Sequence, residues 1–141
     1  MGSRARFLAL VASAIVFSGA SGAAEIAVDV GHTLTAVGAI SARGIGEFEF
    51  NRILALQLSS ALIERGQRVR PVNFDGRIGS LQERPQQALG SDFFIAIHHD
   101  SVQPELLRTW EWHGNEQTYS DQHAGFSLFV SRTNPAPETS L

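Results

Sequence analysis

Apolar strand-like stretches alternate with helical ones from Glu25 to His98, and this alternation restricts the fold more than any other feature of the 141-residue chain. Glu25 to Val30 is β-branched-rich, nearly continuous in its apolar character and ended by Gly31, the pattern of a buried strand. Thr33 to Gly46 carries Gly38, Gly44 and Gly46 and little periodicity, so it reads as a loop, long enough to be functional. In Glu47 to Arg65, Phe50, Ile53, Leu54, Leu58, Ala61 and Leu62 recur at three- and four-residue steps, which predicts a helix ended by Gly66. Arg68 to Val72 is a short strand candidate. Ser80-Leu81-Gln82-Glu83 forms a capping box that predicts a helix over Leu81–Leu89, with Pro85 near its first turn. Gly90 ends that helix, and Asp92 to His98 is the next strand. Such an order predicts an α/β domain of three layers, with a mostly parallel sheet flanked by helices. Beyond His98 the patterning weakens. Gly125 to Val130 reads as one more strand, and Asn134-Pro135 as a helix start. A domain that ends at Leu141 as a helix begins reads as incomplete.

The first 24 residues have a different character. Arg4 and Arg6 precede an apolar run, Phe7 to Phe17, and Gly22 and Ala24 give a small-x-small cleavage pattern before Glu25. This is the layout of a signal peptide. The run is far short of the ~20 apolar residues that a spanning helix needs. The expected product is a secreted or periplasmic domain over residues 25–141, with no membrane span after cleavage. A net charge of −3 argues against nucleic acid as a partner, since that calls for clustered basic residues. With no cysteine, no disulfide can hold the domain, so its core must, and a bound metal could add to it.

The functional signal lies at the ends of these elements. His32 follows the first strand, Glu47 opens the long helix, and His98 ends the strand after the second helix. In parallel α/β sheets, ligands bind beyond the carboxyl ends of the strands, so both histidines should project from one edge. Glu47 is in helical phase with Phe50, Leu54, Leu58 and Ala61, and a carboxylate heading an apolar stripe needs a partner. Two imidazoles and one carboxylate are a common ligand set for a catalytic Zn²⁺. Asn51, one turn after Glu47, and Asp100 are placed to hydrogen-bond such ligands.

Several short stretches carry a family resemblance. Val28-Asp29-Val30-Gly31-His32 resembles the D-x-G-H opening of the zinc-dependent N-acetylmuramoyl-L-alanine amidases of the cell-wall type. Gly46-Glu47-Phe48-Glu49-Phe50-Asn51 is similar to their G-x-x-E-x-x-x-N helix start in its Glu and Asn. Leu81-Gln82-Glu83-Arg84 matches their L-x-x-R helix. Phe94-Ile95-Ala96-Ile97-His98 with His99-Asp100-Ser101 resembles their F-x-S-I-H-A-N-S strand. The set runs in order from Ile26 to Ser101. The resemblance implies that His32, Glu47 and His98 bind Zn²⁺. It also implies that the substrate is peptidoglycan, cut at the amide between N-acetylmuramic acid and L-alanine. Residues 25–141 would then be the N-terminal part of the catalytic domain. The chain departs from the pattern at Val30, where proline is frequent, at Ala96, where serine is common, and at His99, where alanine is common. The family's late V-E-x-G-F-like stretch has no counterpart, so its general-base glutamate is expected beyond Leu141, and no catalytic base is assigned.

Other residues point to structure more than chemistry. Adjacent strand residues face opposite ways, so His99 is not expected to join His98 on one ion; a hydrogen-bonded surface role is the expectation. Asp29 should meet a backbone N–H or an arginine. Arg70, Arg77 and Arg84 should serve structure or solubility. His113 and His123 lie in a polar region without periodicity and are expected to be solvated. Trp110 and Trp112 suit either sugar stacking or loop anchoring. No nucleophilic serine or cysteine motif is present. Two alternatives remain open. One is a peptidoglycan-binding or regulatory module of the same fold without catalysis. The other is a different zinc peptidase, although the 15-position separation of His32 and Glu47 is wider than those enzymes usually show. The sequence carries no signal for oligomeric state.

Overall fold

The computed structural model describes residues 22–122 and 125–131. The segment 1–21, His123, the Asn134-Pro135 helix start and Glu138 lie outside the described residues. In chain order the elements are β1 (Glu25–Val30), α1 (Glu47–Glu64), β2 (Arg68–Val72), α2 (Glu83–Gln87), β3 (Phe93–Ile97), a 3-10 turn (Pro104–Leu106), β4 (Arg108–Trp112) and β5 (Asn115–Tyr119).

β1 is the central strand of a three-stranded parallel sheet ordered β2-β1-β3. Asp29 pairs with Val72 on one side and Ala96 on the other, and Val30 pairs with Ile97. Alternate β1 residues feed two apolar layers, as strand periodicity requires. Ile26, Val28 and Val30 pack with Phe48 and Ala55 of α1 and with Ile97. Ala27 packs on the opposite face with Val72 and with Ala88, just after α2. The sheet therefore lies between two helical layers. The chain leaves β1 for β2 through α1, then crosses β1 to reach β3 through α2. The carboxyl ends of β1 and β3 thus meet where the strand order reverses, the place where open α/β sheets form a crevice.

The three strands and the long helix fall where the sequence puts them, within a residue or so at each end. Gly66 follows α1 with φ +77°, a left-handed conformation that glycine adopts without strain. The face of α1 differs from expectation. Its sheet side is formed by Phe48, Asn51 and Ala55, with Leu58 and Leu62 half-buried, while Phe50, Ile53 and Leu54 are exposed. The helix is rotated so that Asn51, a polar residue, occupies the centre of the buried side. Apolar periodicity cannot register that.

α2 is shorter than the predicted Leu81–Leu89. The Ser80 hydroxyl does accept from the Glu83 N–H, at 3.3 Å. Leu81 and Leu89, however, are both exposed and add no packing to extend the helix. Arg70 fastens the far end of this segment: it pairs with Glu25 and donates to the carbonyls of Gln87 (3.3 Å) and Leu89 (2.7 Å). The predicted strand over 125–130 is not formed. Phe126, Leu128 and Phe129 there are all exposed, and without a sheet edge to join, alternation alone does not make a strand.

A β4–β5 hairpin, not predicted, lies in the supposedly aperiodic region. Trp112 pairs with Asn115 across a two-residue turn in which His113 (φ 52°) and Gly114 (φ 76°) are both left-handed. That is the tight turn whose twist suits a hairpin. Trp110 and Trp112 stack at 5.1 Å on one face, and the Trp110 indole N–H donates to the Ala42 carbonyl at 2.8 Å. The tryptophans thereby anchor the hairpin to the 33–46 loop.

Candidate metal centre

The centre is built on two close backbone approaches. Gly31 donates its N–H to the Ile97 carbonyl at 3.0 Å, extending the β1–β3 pairing by one residue. A Cβ at Gly31 would lie 2.5 Å from the His98 ring and 2.6 Å from the Ile97 oxygen, so only glycine fits. His32 then turns the chain with φ 68°, a conformation that costs a non-glycine residue energy. Buried donors hold it there. Asn73 Nδ2 and Arg84 Nη2 each lie 2.7 Å from the His32 carbonyl, and both side chains also donate to the Val30 carbonyl.

Arg84 is almost fully buried. Besides these carbonyls it donates to Ile78 O and faces Asp29 at 3.5 Å. Burial pushes the Asp29 carboxyl above its ordinary range, and the Arg84 charge and hydrogen bond offset part of that rise. Asp29 therefore meets an arginine, as expected, and Arg84 is structural: it props the loop that presents His32.

Glu47 is the first residue of α1 and is buried. The 33–46 loop folds over it. The Glu47 and Phe48 N–H groups, unsatisfied within the helix, donate to the carbonyls of Ala39 and Val37. Gly38, at φ +79°, brings the loop so close that a Cβ there would be 2.7 Å from both Glu47 Oε2 and the His32 ring. Burial opposes ionisation of Glu47. Hydrogen bonds from the N–H groups of His99 and Ala39 and from the Asn51 amide, with His32 nearby, outweigh it and hold the carboxyl below its usual range. The result is a buried carboxylate kept ionised.

The two imidazoles meet this carboxylate. His32 Nε2 is 3.0 Å from Glu47 Oε2, and His98 Nδ1 is 3.2 Å from Glu47 Oε1. The rings face each other edge-on, 5.2 Å between centroids. One donor atom from each of the three residues falls within 4.8 Å of the others. Tetrahedral zinc with bonds of about 2.0–2.2 Å spaces its ligands by roughly 3.3–3.6 Å. Small side-chain movements would close the cluster on an ion, and an anionic carboxylate with two imidazoles suits one. The cluster lines an open cavity of about 530 Å³, together with Asp100, Ser101, Leu107 and Thr118.

His32, Glu47 and His98 thus come together from positions far apart in sequence. Asn51 is fully buried against Glu47, with Nδ2 3.3 Å from Oε1. Asp100 does not take its expected place. Among the described residues no hydrogen bond joins it to either imidazole, and it is exposed on the cavity wall, because the chain has already turned out of β3. Sequence reading did not find Asn73 or the contact of Arg84 with the His32 carbonyl. An Asn or Arg that supports a distant backbone carbonyl leaves no periodic signal.

Comparisons with known proteins agree with this architecture. The sequence profile of the family described as N-acetylmuramoyl-L-alanine amidase matches residues 26–140. The catalytic domain of CwlV, an N-acetylmuramoyl-L-alanine amidase from Bacillus (Paenibacillus) polymyxa var. colistinus, superposes with a TM-score of 0.52 at 28% identity, over 56% of this chain and 46% of that one. The N-acetylmuramoyl-L-alanine amidase AmiC2 of Nostoc punctiforme shares the fold, with a TM-score of 0.54 at 22% identity, over 63% of this chain and 52% of that one. The chain spans about half the length of these two structures. No curated protein matches it.

Proposed function

Since this chain belongs to the N-acetylmuramoyl-L-alanine amidase family, we propose that it serves the zinc-dependent hydrolysis of the amide between N-acetylmuramic acid and L-alanine in peptidoglycan, outside the cytoplasm. The observation that carries the reading is the convergence of His32, Glu47 and His98 at the sheet's switch point, on the wall of an open cavity. The basic and apolar leader in residues 1–24 supports the location, since this substrate lies beyond the membrane. No helix among the described residues is long and apolar enough to cross a membrane.

The chain's own residues would hold the ion and keep its surroundings fixed. His32 and His98 would supply imidazole nitrogens, and Glu47 a negative charge that hydrogen bonds keep ionised. Asn73 and Arg84 fix the backbone that presents His32, and Gly38 lets the loop close over Glu47. Zn²⁺ held there would supply Lewis acidity, the chemistry that makes a bound water nucleophilic near neutral pH and polarises a carbonyl. The cavity leaves room for a substrate carbonyl beside the three ligands.

The test is incubation of the zinc-loaded product of the full natural reading frame with purified muropeptides, with products read by mass spectrometry. The expected products are stem peptides with a free L-alanine amine and N-acetylmuramic acid with its lactyl carboxylate newly freed. Cleavage between stem-peptide residues would instead mark a different zinc peptidase. Zinc uptake with peptidoglycan binding and no released peptide would mark a non-catalytic module.

A further inference from the structure

His99 stands beside the candidate metal centre and is not one of its three ligands. Its backbone N–H donates to Glu47 Oε1 at 2.9 Å, and its ring Nδ1 lies 2.6 Å from Asn51 Oδ1. The orientation of the Asn51 amide follows from its other contacts. Asn51 Nδ2 is 3.2 Å from the Gly31 carbonyl and 3.3 Å from Glu47 Oε1, and both of these can only accept. The NH₂ end must therefore point at them, which leaves Oδ1 facing His99. It follows that His99 Nδ1 carries a proton and donates it. The Phe50 ring, 5.8 Å from the His99 ring centroid, packs alongside. This also accounts for an aromatic residue on the outer side of α1.

We propose that His99 is a positioning residue for Glu47, acting through the Asn51 amide; this rests on the zinc reading above. Asn51 is fully buried, so its Oδ1 would be an unsatisfied acceptor without the His99 donor. An amide free to flip would turn its oxygen toward the Glu47 carboxylate and replace an attraction with a repulsion. The His99 Nδ1–H prevents that flip. Glu47 Oε1 then keeps two donors, the Asn51 amide and the His99 N–H, and the carboxylate stays turned toward both imidazoles. Groups that hydrogen-bond to metal ligands in this way set ligand orientation and affinity.

The experiment compares zinc dissociation constants, measured by chelator competition, for the wild-type protein, His99→Leu and His99→Asn. In His99→Asn the side-chain amide nitrogen would sit near the present Nδ1 and donate in its place. Leucine matches the shape of asparagine without that donor. We expect His99→Leu to bind zinc about 10-fold more weakly, and His99→Asn to recover most of that loss. Combining His99→Leu with Asn51→Ala should weaken binding no further than Asn51→Ala alone, because one chain of contacts is being cut twice. Equal zinc affinity for His99→Leu and wild type, with the wild type binding, would overturn this inference and leave the metal centre standing. Failure of His99→Asn to recover affinity would overturn it too. A wild-type protein that takes up no zinc would remove the metal centre and this inference together.

Discussion

Replacing Arg84 by methionine removes the charge that holds the His32 turn while keeping most of the side-chain volume. The guanidinium is buried, faces Asp29 at 3.5 Å and donates to the carbonyls of His32 (2.7 Å), Val30 (3.0 Å) and Ile78 (2.9 Å). Asn73 still donates to the His32 and Val30 oxygens, so their loss is partial. The Ile78 oxygen and the Asp29 carboxylate lose their buried partner. Breaking a buried pair in this way costs about 3–5 kcal/mol. The cost should depend on pH. Asp29 is already raised by burial, with Arg84 pulling the other way, so its carboxyl climbs further in Arg84→Met. A carboxyl raised in the folded state holds more protons than the unfolded chain between the two pKa values, and stability falls as pH rises through that window. The deficit should therefore be smallest near the unfolded Asp value of about 3.9 and grow toward neutral pH. Urea unfolding of wild type and Arg84→Met at pH 7.5 and pH 4.5 measures both quantities, and adding Asp29→Asn should abolish the extra loss at pH 7.5. A loss below about 1 kcal/mol at pH 7.5, or an equal loss at both pH values, would refute the reasoning.

Two further perturbations probe the loop over the centre. Gly38→Ala should lower zinc affinity at least about 10-fold, because its Cβ would press on Glu47 and His32 at 2.7 Å in a left-handed conformation that itself costs about 1–2 kcal/mol. Gly79→Ala, with nothing within 4 Å of the new Cβ, serves as the control and should change stability by less than about 0.5 kcal/mol. Trp110→Ala should release the hairpin from the Ala42 carbonyl, and tryptic cleavage after the exposed Arg43 should speed up several-fold; an unchanged cleavage rate would show that the indole anchors nothing.

The sheet and the three-residue cluster were legible because each rests on a strong local signal. Ile26 to Val30 and Phe93 to Ile97 are short apolar runs bounded by turns, and parallel pairing sends His32 and His98 to one edge. Glu47 stood out as a carboxylate in a first helical turn. The phase of α1 was misread because Asn51, not an apolar residue, lies at the centre of its buried side. Asn73, and the contact of Arg84 with the His32 carbonyl, escaped notice because the partner is a backbone carbonyl more than 40 positions away in sequence. The hairpin had a readable sign, the alternating Trp110 and Trp112 followed by His113-Gly114. Polar residues in β5 masked it.

The central claim is that a single divalent ion is held by His32, Glu47 and His98 at the carboxyl ends of β1 and β3. Anomalous diffraction at the zinc edge, from zinc-loaded crystals of the protein, tests it most directly. The account predicts one strong peak per chain, about 2.0–2.2 Å from a nitrogen of each histidine and an oxygen of Glu47. A zinc-loaded crystal with its peak elsewhere, or with none at this cluster, would contradict it.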